Sequence, residues 1–257
     1  MDLTESFRIA LSGLAANRLR AALTTLGIVI GVGAVIGLVS LGRGVEIYIA
    51  NEFKALGANV LFVFSSTPTS GTRTRVAPLT TLEAADLADP SIAPSIRQIA
   101  LEYGVNALVT SGSESVALAL SGVPPNFTEV RNWGVRYGSF ITQSDLDSFA
   151  RVAVLGVDIV EDLFGDKAMN PVGQTIRIND RVFTVIGVME AQGQGFTGED
   201  ASVFIPMTTA QTRLAQARTR DGGYQVHVLH VQAVSEETMD SATREIEMYL
   251  SEAHNIT

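Results

Sequence analysis

The chain has 257 residues, 46% of them hydrophobic, with no cysteine and a net charge of −9. This allows one or two domains with a sizeable core and excludes disulfide frameworks, thiolate metal sites and thiol nucleophiles. Setting aside the four arginines and two acids of residues 1–43 leaves 14 basic and 25 acidic side chains, a net −11, a surface that repels phosphate backbones. No cluster of Lys and Arg interleaved with aromatics occurs, so nucleic acid is set aside as a partner.

Residues 1–20 place Leu3, Phe7, Ala10, Leu11 and Leu14 at helical spacing, with Glu5, Arg8 and Arg18 on the polar side. This predicts a short amphipathic helix lying in a membrane interface. Residues 21–42 carry no charge and are closed by Arg20 and Arg43. A helix of that length is about 33 Å long, matching a hydrocarbon core of roughly 30 Å, so the run reads as a membrane span. Arg8, Arg18 and Arg20 place the N-terminus in the cytoplasm and the acidic remainder outside. The run exceeds the roughly 7 to 15 residues of a signal-peptide core, which argues against cleavage after Gly42. Gly27 with Gly31, and Gly33 with Gly37, form two small-xxx-small pairs suited to close helix packing in lipid.

Beyond the span, Val45, Ile49, Phe53 and Leu56 keep helical spacing as far as Gly57, a C-terminal cap. Residues 43–57 are therefore expected to form a stalk; a separate short helix after a break at Gly42-Arg43-Gly44 fits the same pattern. Residues 59–65 (NVLFVFS) predict a buried strand, followed by a polar loop from Ser66 to Pro78. Thr80 and Glu83 form a capping box for a short helix, and strands follow at 96–109 and 115–123. Pro124-Pro125 breaks the chain and marks a crossing into a second part. Short strands are expected at 151–155, 175–178, 182–188 and 202–205, with a helix at 158–164 and a hairpin turn at Asn179-Asp180-Arg181. Thr208 and Gln211 are read as capping another helix. A strand at 225–233 leads to a helix capped by Ser235, with Met239, Ala242, Ile246, Tyr249, Leu250 and Ala253 on one face. That unit lacks the closing strand of a strand–helix–strand arrangement, so the polypeptide is expected to continue past Thr257.

Little in the sequence points to chemistry. His227 and His230 lie three apart in a strand, on opposite faces, and cannot share a metal; His254 is far from both. The acidic pairs Asp145/Asp147, Glu161/Asp162, Glu199/Asp200 and Glu236/Glu237 mostly fall at turns or helix starts, where carboxylates satisfy free amides. There is no G-x-S-x-G elbow. The Gly-rich segment 192–200 ends in two acids and lacks the lysine of a phosphate-binding loop, and no G-x-x-x-x-G-K-[ST] occurs. Trp133 and Tyr137, beside Gly134 and Gly138, read as a packed corner. These features argue against an enzyme.

Several blocks appear together: LRAALTTLGIVIGVGAVI from Leu19, LGANVLFV from Leu56, ARVAVLG from Ala150, LFGD from Leu163, NPVGQTIRINDRVFTVIGVM from Asn170 and VFIPMTTAQ from Val203. In this order the chain resembles the MacB-like permeases of ABC transporters, within the wider FtsX-like superfamily. The resemblance implies an α+β fold: one N-terminal transmembrane helix with a stalk, then a two-part extracytoplasmic domain. A porter-like βαβ part would comprise residues 58–122 and 223–257, with a β-rich, Sabre-like part inserted at 123–222. It implies further spans beyond Thr257 and a separate cytoplasmic ATPase subunit that binds ATP and Mg, with no cofactor in this chain. A second permease copy or paralogue, and in some systems an adaptor and an outer-membrane duct, would complete the assembly in a bacterial inner membrane. Such permeases act as mechanotransmitters that drive export of drugs, peptides or lipoproteins. The residues expected to matter are then mechanical: Gly27, Gly31, Gly33 and Gly37 in the span and Val45, Ile49 and Phe53 on the stalk. Two alternatives remain open: a lipoprotein-releasing or division-type permease of the superfamily, and a single-span anchored ligand sensor.

Overall fold

The computed structural model describes residues 17–55, 59–65, 78–192 and 199–254, with side chains of 48–55 and Glu199 left aside. Residues 1–16 of the amphipathic helix expected over residues 1–20, the loop at 66–77 and the middle of the Gly-rich segment lie outside the described residues; Arg18–Arg20 already belong to the long helix Arg18–Ala55. Two compact units are present, residues 1–53 and 54–257.

The first unit is dominated by helix α1 (Arg18–Ala55), 38 residues long and about 57 Å from end to end. Gly42-Arg43-Gly44 lies inside it without a break. Leu26, Ile30, Val35 and Leu38 are all more than half exposed, which suits lipid rather than water. The hydroxyls of Thr24 and Thr25 donate to the carbonyls of Arg20 and Ala21, each at 2.8 Å, so these polar groups are satisfied within the helix, as a membrane interior demands.

The second unit runs β1 (Val60–Phe64), α2 (Thr81–Leu87), β2 (Ile96–Ser111), β3 (Glu114–Val123), α3 (Phe127–Val130), β4 (Val135–Gly138), α4 (Gln143–Asp147), β5 (Val152–Leu155), α5 (Val157–Phe164), β6 (Thr175–Ile178), β7 (Arg181–Met189), β8 (Val203–Pro206), α6 (Met207–Thr209), β9 (Val228–Ala233) and α7 (Met239–His254). Strand β2 is shared by two sheets. Its first half, Ile96 to Glu102, pairs antiparallel with β9, which pairs antiparallel with β1. Its second half, from Tyr103, pairs with β3 on one edge and, at Val109 and Thr110, with β6 on the other. From there the partners close a ring, β2-β3-β8-β5-β7-β6 and back to β2. This is a six-stranded barrel, with β4 extending β7 outside the ring.

The barrel core follows from the period-2 pattern of its strands. Val105, Ala107 and Val109, Ala153 and Leu155, Ile176 and Ile178, Phe183 and Val185, and Val203 and Ile205 enter one buried cluster with Val157, Val160 and Leu163 of α5. Asn179 and Asp180 form a two-residue turn, both at positive φ (44° and 66°), the geometry that matches strand twist; Arg181 already belongs to β7. Asn179 fastens the turn to β2: its N–H donates to the Leu108 carbonyl at 3.0 Å and its Oδ1 accepts from the Leu108 N–H at 2.9 Å.

Helix α7 presents the expected face, with Met239, Ala242, Ile246, Tyr249 and Leu250 all packed in one cluster. Its Ala242 and Ile246 are buried with Leu61, Val63, Leu79, Leu87, Leu229 and Val231, so antiparallel strands already floor it. Thr80 and Glu83 do form the reciprocal cap of α2. Thr208 and Gln211 cap nothing: Thr208 Oγ1 donates to Leu146 O, and Gln211 Nε2 to Gln225 O. The helix expected there is present as one α-helical turn, Met207–Thr209, running into a π-helix, Ala210–Leu214.

Gly138 sits at φ +75°, where an added Cβ would collide with the carbonyl of Ile186 on β7. Left-handed backbone strain adds to that clash, so Gly138→Ala should lose about 2 kcal/mol or more of stability. The check is the urea midpoint of unfolding followed by circular dichroism in detergent.

Candidate functional site: a charged cluster at the sheet–barrel crossing and the face of the membrane helix

Glu102 is the last residue of β2 paired with β9 and Tyr103 the first paired with β3, so the Glu102 carboxylate stands where the strand leaves the sheet for the barrel. Each neighbouring element sends one group to it. Ser121 of β3 donates its hydroxyl to Oε1 at 2.5 Å, and His230 of β9 places Nε2 2.7 Å from Oε2. Arg131, just past α3, has Nη1 3.5 Å from His230 Nδ1. A guanidinium only donates and a carboxylate only accepts. Together they select the neutral imidazole with its proton on Nε2. Arg131 and His230 are buried, at 5% and 2% exposure. The Arg131 guanidinium lies 5.0 Å and 5.9 Å from the ring centres of Phe62 and Phe127, and His230 meets both rings edge-on. A pocket of about 190 Å³ opens beside the cluster, walled by Phe62, Phe64, Phe127, Trp133 and Phe204.

Burial pushes the Glu102 carboxyl up, but the His230 hydrogen bond, the Ser121 hydroxyl and the Arg131 charge outweigh it, and the net shift is downward. The arrangement does not activate a nucleophile. Ser121 binds the carboxylate, not the imidazole, and the other imidazole nitrogen faces a cation, so no serine–base pair exists here. The cluster is an ionic tie between β2, β3, β9 and α3.

The remaining candidates from the sequence separate. His227 stacks on Tyr103 at 4.6 Å and accepts the Gly104 N–H at 3.0 Å; burial lowers its pKa, with the Glu102 charge opposing. His254 lies 2.7 Å from Glu83 Oε1. Among the described residues no group of three His, Asp or Glu is placed to hold a metal. Asp145 caps α4 through Thr142, Glu161 pairs with Lys167, and Asp200 accepts the Gln192 N–H. Trp133 donates Nε1–H to Glu190 O at 2.7 Å and meets Phe204 edge-on. Glu102 and Arg131 do not stand out in the sequence. The signal that could have found them is a carboxylate flanked by Leu101 and Tyr103 in a strand, and a charge between Val130 and Trp133.

Gly27, Gly31, Gly33 and Gly37 all lie on α1 with open space where a Cβ would be. At about 100° per residue, Gly27 and Gly31 share one face, and Gly33 and Gly37 lie roughly 120° away from it. Because α1 is unbroken, the same count returns Val45 and Ile49 to the Gly27–Gly31 face, with Phe53 about 40° further round. Val45 is 49% exposed; the side chains of Ile49 and Phe53 lie outside the described residues.

Known proteins match this chain over most of its length. A sequence-family model described as MacB-like periplasmic core domain matches residues 21–249. A macrolide export ATP-binding/permease protein MacB from Azoarcus sp. (strain BH72) is 33% identical over 220 residues, covering 84% of this chain and 33% of that protein. A pyoverdine export ATP-binding/permease protein PvdT from Pseudomonas aeruginosa is 31% identical over 219 residues, covering 84% of this chain and 32% of that protein. The chain thus spans about a third of the length of such curated relatives. Among solved structures, the periplasmic region of MacB from Actinobacillus actinomycetemcomitans superposes with a TM-score of 0.62 at 21% identity, covering 79% of this chain and 87% of that one. The extracellular domain of the ABC-type transporter YknZ from Gram-positive bacteria gives 0.60 at 18% identity, covering 77% and 96%. These two likenesses establish the fold.

Because the folded pKa of Glu102 lies below its ordinary value of 4.5, its stabilisation is complete above that value and is lost as pH falls through the folded one. Glu102→Gln should therefore cost about 2–3 kcal/mol at pH 7, and the gap to wild type should close in strong acid. Urea unfolding at pH 7 and at successively lower pH reads both effects.

Proposed function

The chain belongs to the family of MacB-like periplasmic core domains, and we propose that it is the permease part of an ABC exporter that passes ATP-driven motion across the membrane instead of conducting cargo between its helices. Its N-terminal helix crosses the bacterial inner membrane with the N-terminus in the cytoplasm, and the barrel-bearing unit is extracytoplasmic. The chain itself carries no nucleotide-binding motif.

The observation that supports the mechanical reading most is the continuity of α1. One helix runs from Arg18 to Ala55, about 25 Å longer than a bilayer core requires. A displacement of the span is thereby carried outward without a hinge. ATP and Mg would be bound by a cytoplasmic ATPase subunit, whose closure draws the spans of two permease copies together. Gly27 and Gly31 supply a close-packing surface on the face that Val45 and Ile49 continue, and Gly33 and Gly37 supply a second. Residues 58–122 with 223–257 would form the porter-like part and 123–222 the Sabre-like part, through which the movement acts on drugs, peptides or lipoproteins. An adaptor and an outer-membrane duct would serve as further partners.

The full-length protein, tagged and purified from its own cell, should bring down an ABC ATPase; recovery of the permease without any ATPase would sink the transporter reading. Gly31→Leu should reduce export by roughly fivefold or more with membrane levels unchanged, measured by substrate efflux or susceptibility of the strain. Val45→Cys should cross-link two copies, whereas Ile47→Cys, on the opposite face of α1, should not.

A further inference from the structure

Between its two ladders β2 has a short stretch of edge with no strand beside it. Pairing with β9 stops at Glu102, and pairing with β6 begins at Val109. The even-numbered residues turn their backbone groups to this edge. Glu102 O accepts the His227 N–H at 2.9 Å, Gly104 donates its N–H to His227 Nδ1 at 3.0 Å, and Leu108 exchanges two bonds with Asn179. Asn179 at the barrel end and the His227 imidazole at the sheet end thus stand in for the missing strand.

The two substitutes differ chemically. The side-chain amide of Asn179 accepts a hydrogen bond at any pH, whereas an imidazole nitrogen accepts one only while it is unprotonated. Because Nδ1 takes the Gly104 N–H, the neutral His227 ring carries its proton on Nε2, and the next proton can bind only at Nδ1. That sets donor against donor across 3.0 Å. A protonated ring has to turn Nδ1 away, and the Gly104 amide then loses its partner at the point where β2 passes from sheet to barrel.

The surroundings set when this happens. Strand β2 brings two titratable groups to His227: the Tyr103 phenol, stacked on the ring with centres 4.6 Å apart and kept neutral by burial, and the Glu102 carboxylate. The Glu102 charge favours a proton on His227, but burial outweighs it and holds the pKa below its ordinary value of 6.5. On β9, His230 is bound to Glu102, with Arg131 at its other nitrogen. From β1 the Ser65 N–H meets the His227 carbonyl. His227 is half-buried, so a proton reaches it from solvent, and an extracytoplasmic unit meets the pH of its surroundings.

We propose that His227 is a proton-operated latch on the joint between sheet and barrel: neutral, it holds β2 at Gly104; protonated, it lets go and loosens the angle between the two bodies. Since the closed latch disfavours the proton, it is closed above pH 6.5 and opens as the pH falls through the lowered pKa.

The test is amide exchange at Gly104 in the 257-residue chain in nanodiscs, expressed as protection over the intrinsic rate at each pH. Between about pH 7.5 and about pH 5 that protection should fall by about tenfold or more. The fall should follow the titration of the His227 ring resonances, while the Val109 and Leu229 amides stay protected. His227→Asn supplies an acceptor that does not titrate and should keep Gly104 protected throughout; His227→Phe keeps a ring on Tyr103 without an acceptor and should leave it unprotected throughout. The chain has no cysteine, so Asp162→Cys on α5 and Arg244→Cys on α7 can carry a spin-label pair. Its distance distribution should broaden in acid, recover on neutralisation, and stay narrow with His227→Asn. Protection of Gly104 that ignores pH, an equal fall in His227→Asn, or a fall that follows the titration of His230 overturns the proposal. So does a fall shared by Val109 and Leu229, which reports unfolding, or a spin-label distribution that acid leaves unchanged.

Discussion

The fold depends on the single long path of β2. Its sixteen residues are hydrogen-bonded to one sheet over the first half and to the barrel over the second, and a twisted strand cannot follow both courses unless its register is fixed at the crossing. Glu102 fixes it. A carboxylate at that depth is tolerable only with partners, and Ser121, His230 and Arg131 come from three different elements. Sliding β2 by one residue would point the carboxylate to the other face and strand it, at a cost of roughly 3–5 kcal/mol for an uncompensated buried charge. Ionic clusters add little to net stability compared with apolar packing, but they penalise every other alignment.

The same crossing ties the sheet and the barrel into one hydrogen-bonded body. The barrel has no free edges within its ring, since each of the six strands has two neighbours, and β2 is one of the six. Load arriving at β1 passes through β9 to β2 by continuous ladders, and from β2 into the ring without crossing a loop. The proposed mechanical role would draw on this continuity rather than on a pocket. The pocket beside Glu102, at about 190 Å³, is correspondingly small, and its polar groups are occupied with one another.

Much of this was legible in the residues. The span, the helical spacing beyond it, the capping box at Thr80 and the short strands of the second half each have local causes: uncharged length, a 3.6-residue period, one side chain returning to one amide, a period of two. The illegible part is non-local. Nothing near Val109 announces that β6 will pair with it and close the ring, because closure depends on the tilt and stagger of six strands. Glu102 resembled any exposed carboxylate on a strand; its partners lie 19, 29 and 128 positions away along the chain. The Thr208 cap failed for the opposite reason. The local motif was present, but burial of α6 redirected its hydroxyl to Leu146 O. The floor beneath α7 escapes the sequence pattern because a strand–helix–strand unit implies parallel neighbours, whereas β9 lies antiparallel to both β1 and β2.

The uncharged run that first defines the sequence takes its meaning from the thirteen residues by which α1 outlasts it. A span ending at Gly42 would be an anchor, free to swivel at a break. A helix unbroken to Ala55 keeps the angular relation between residues in lipid and residues outside it, so Gly27, Gly31, Val45 and Ile49 lie on one line. Glycines on that line let a neighbouring helix approach closely inside the bilayer. On the proposed reading of two permease copies, Val45, larger and farther out on the same line, would hold that neighbour at a greater distance. Tightening such a contact would, on that reading, change the spacing of the outer halves. The proposed mechanical role requires the helix to stay intact through Gly42-Arg43-Gly44, the stretch where the sequence alone left a break open.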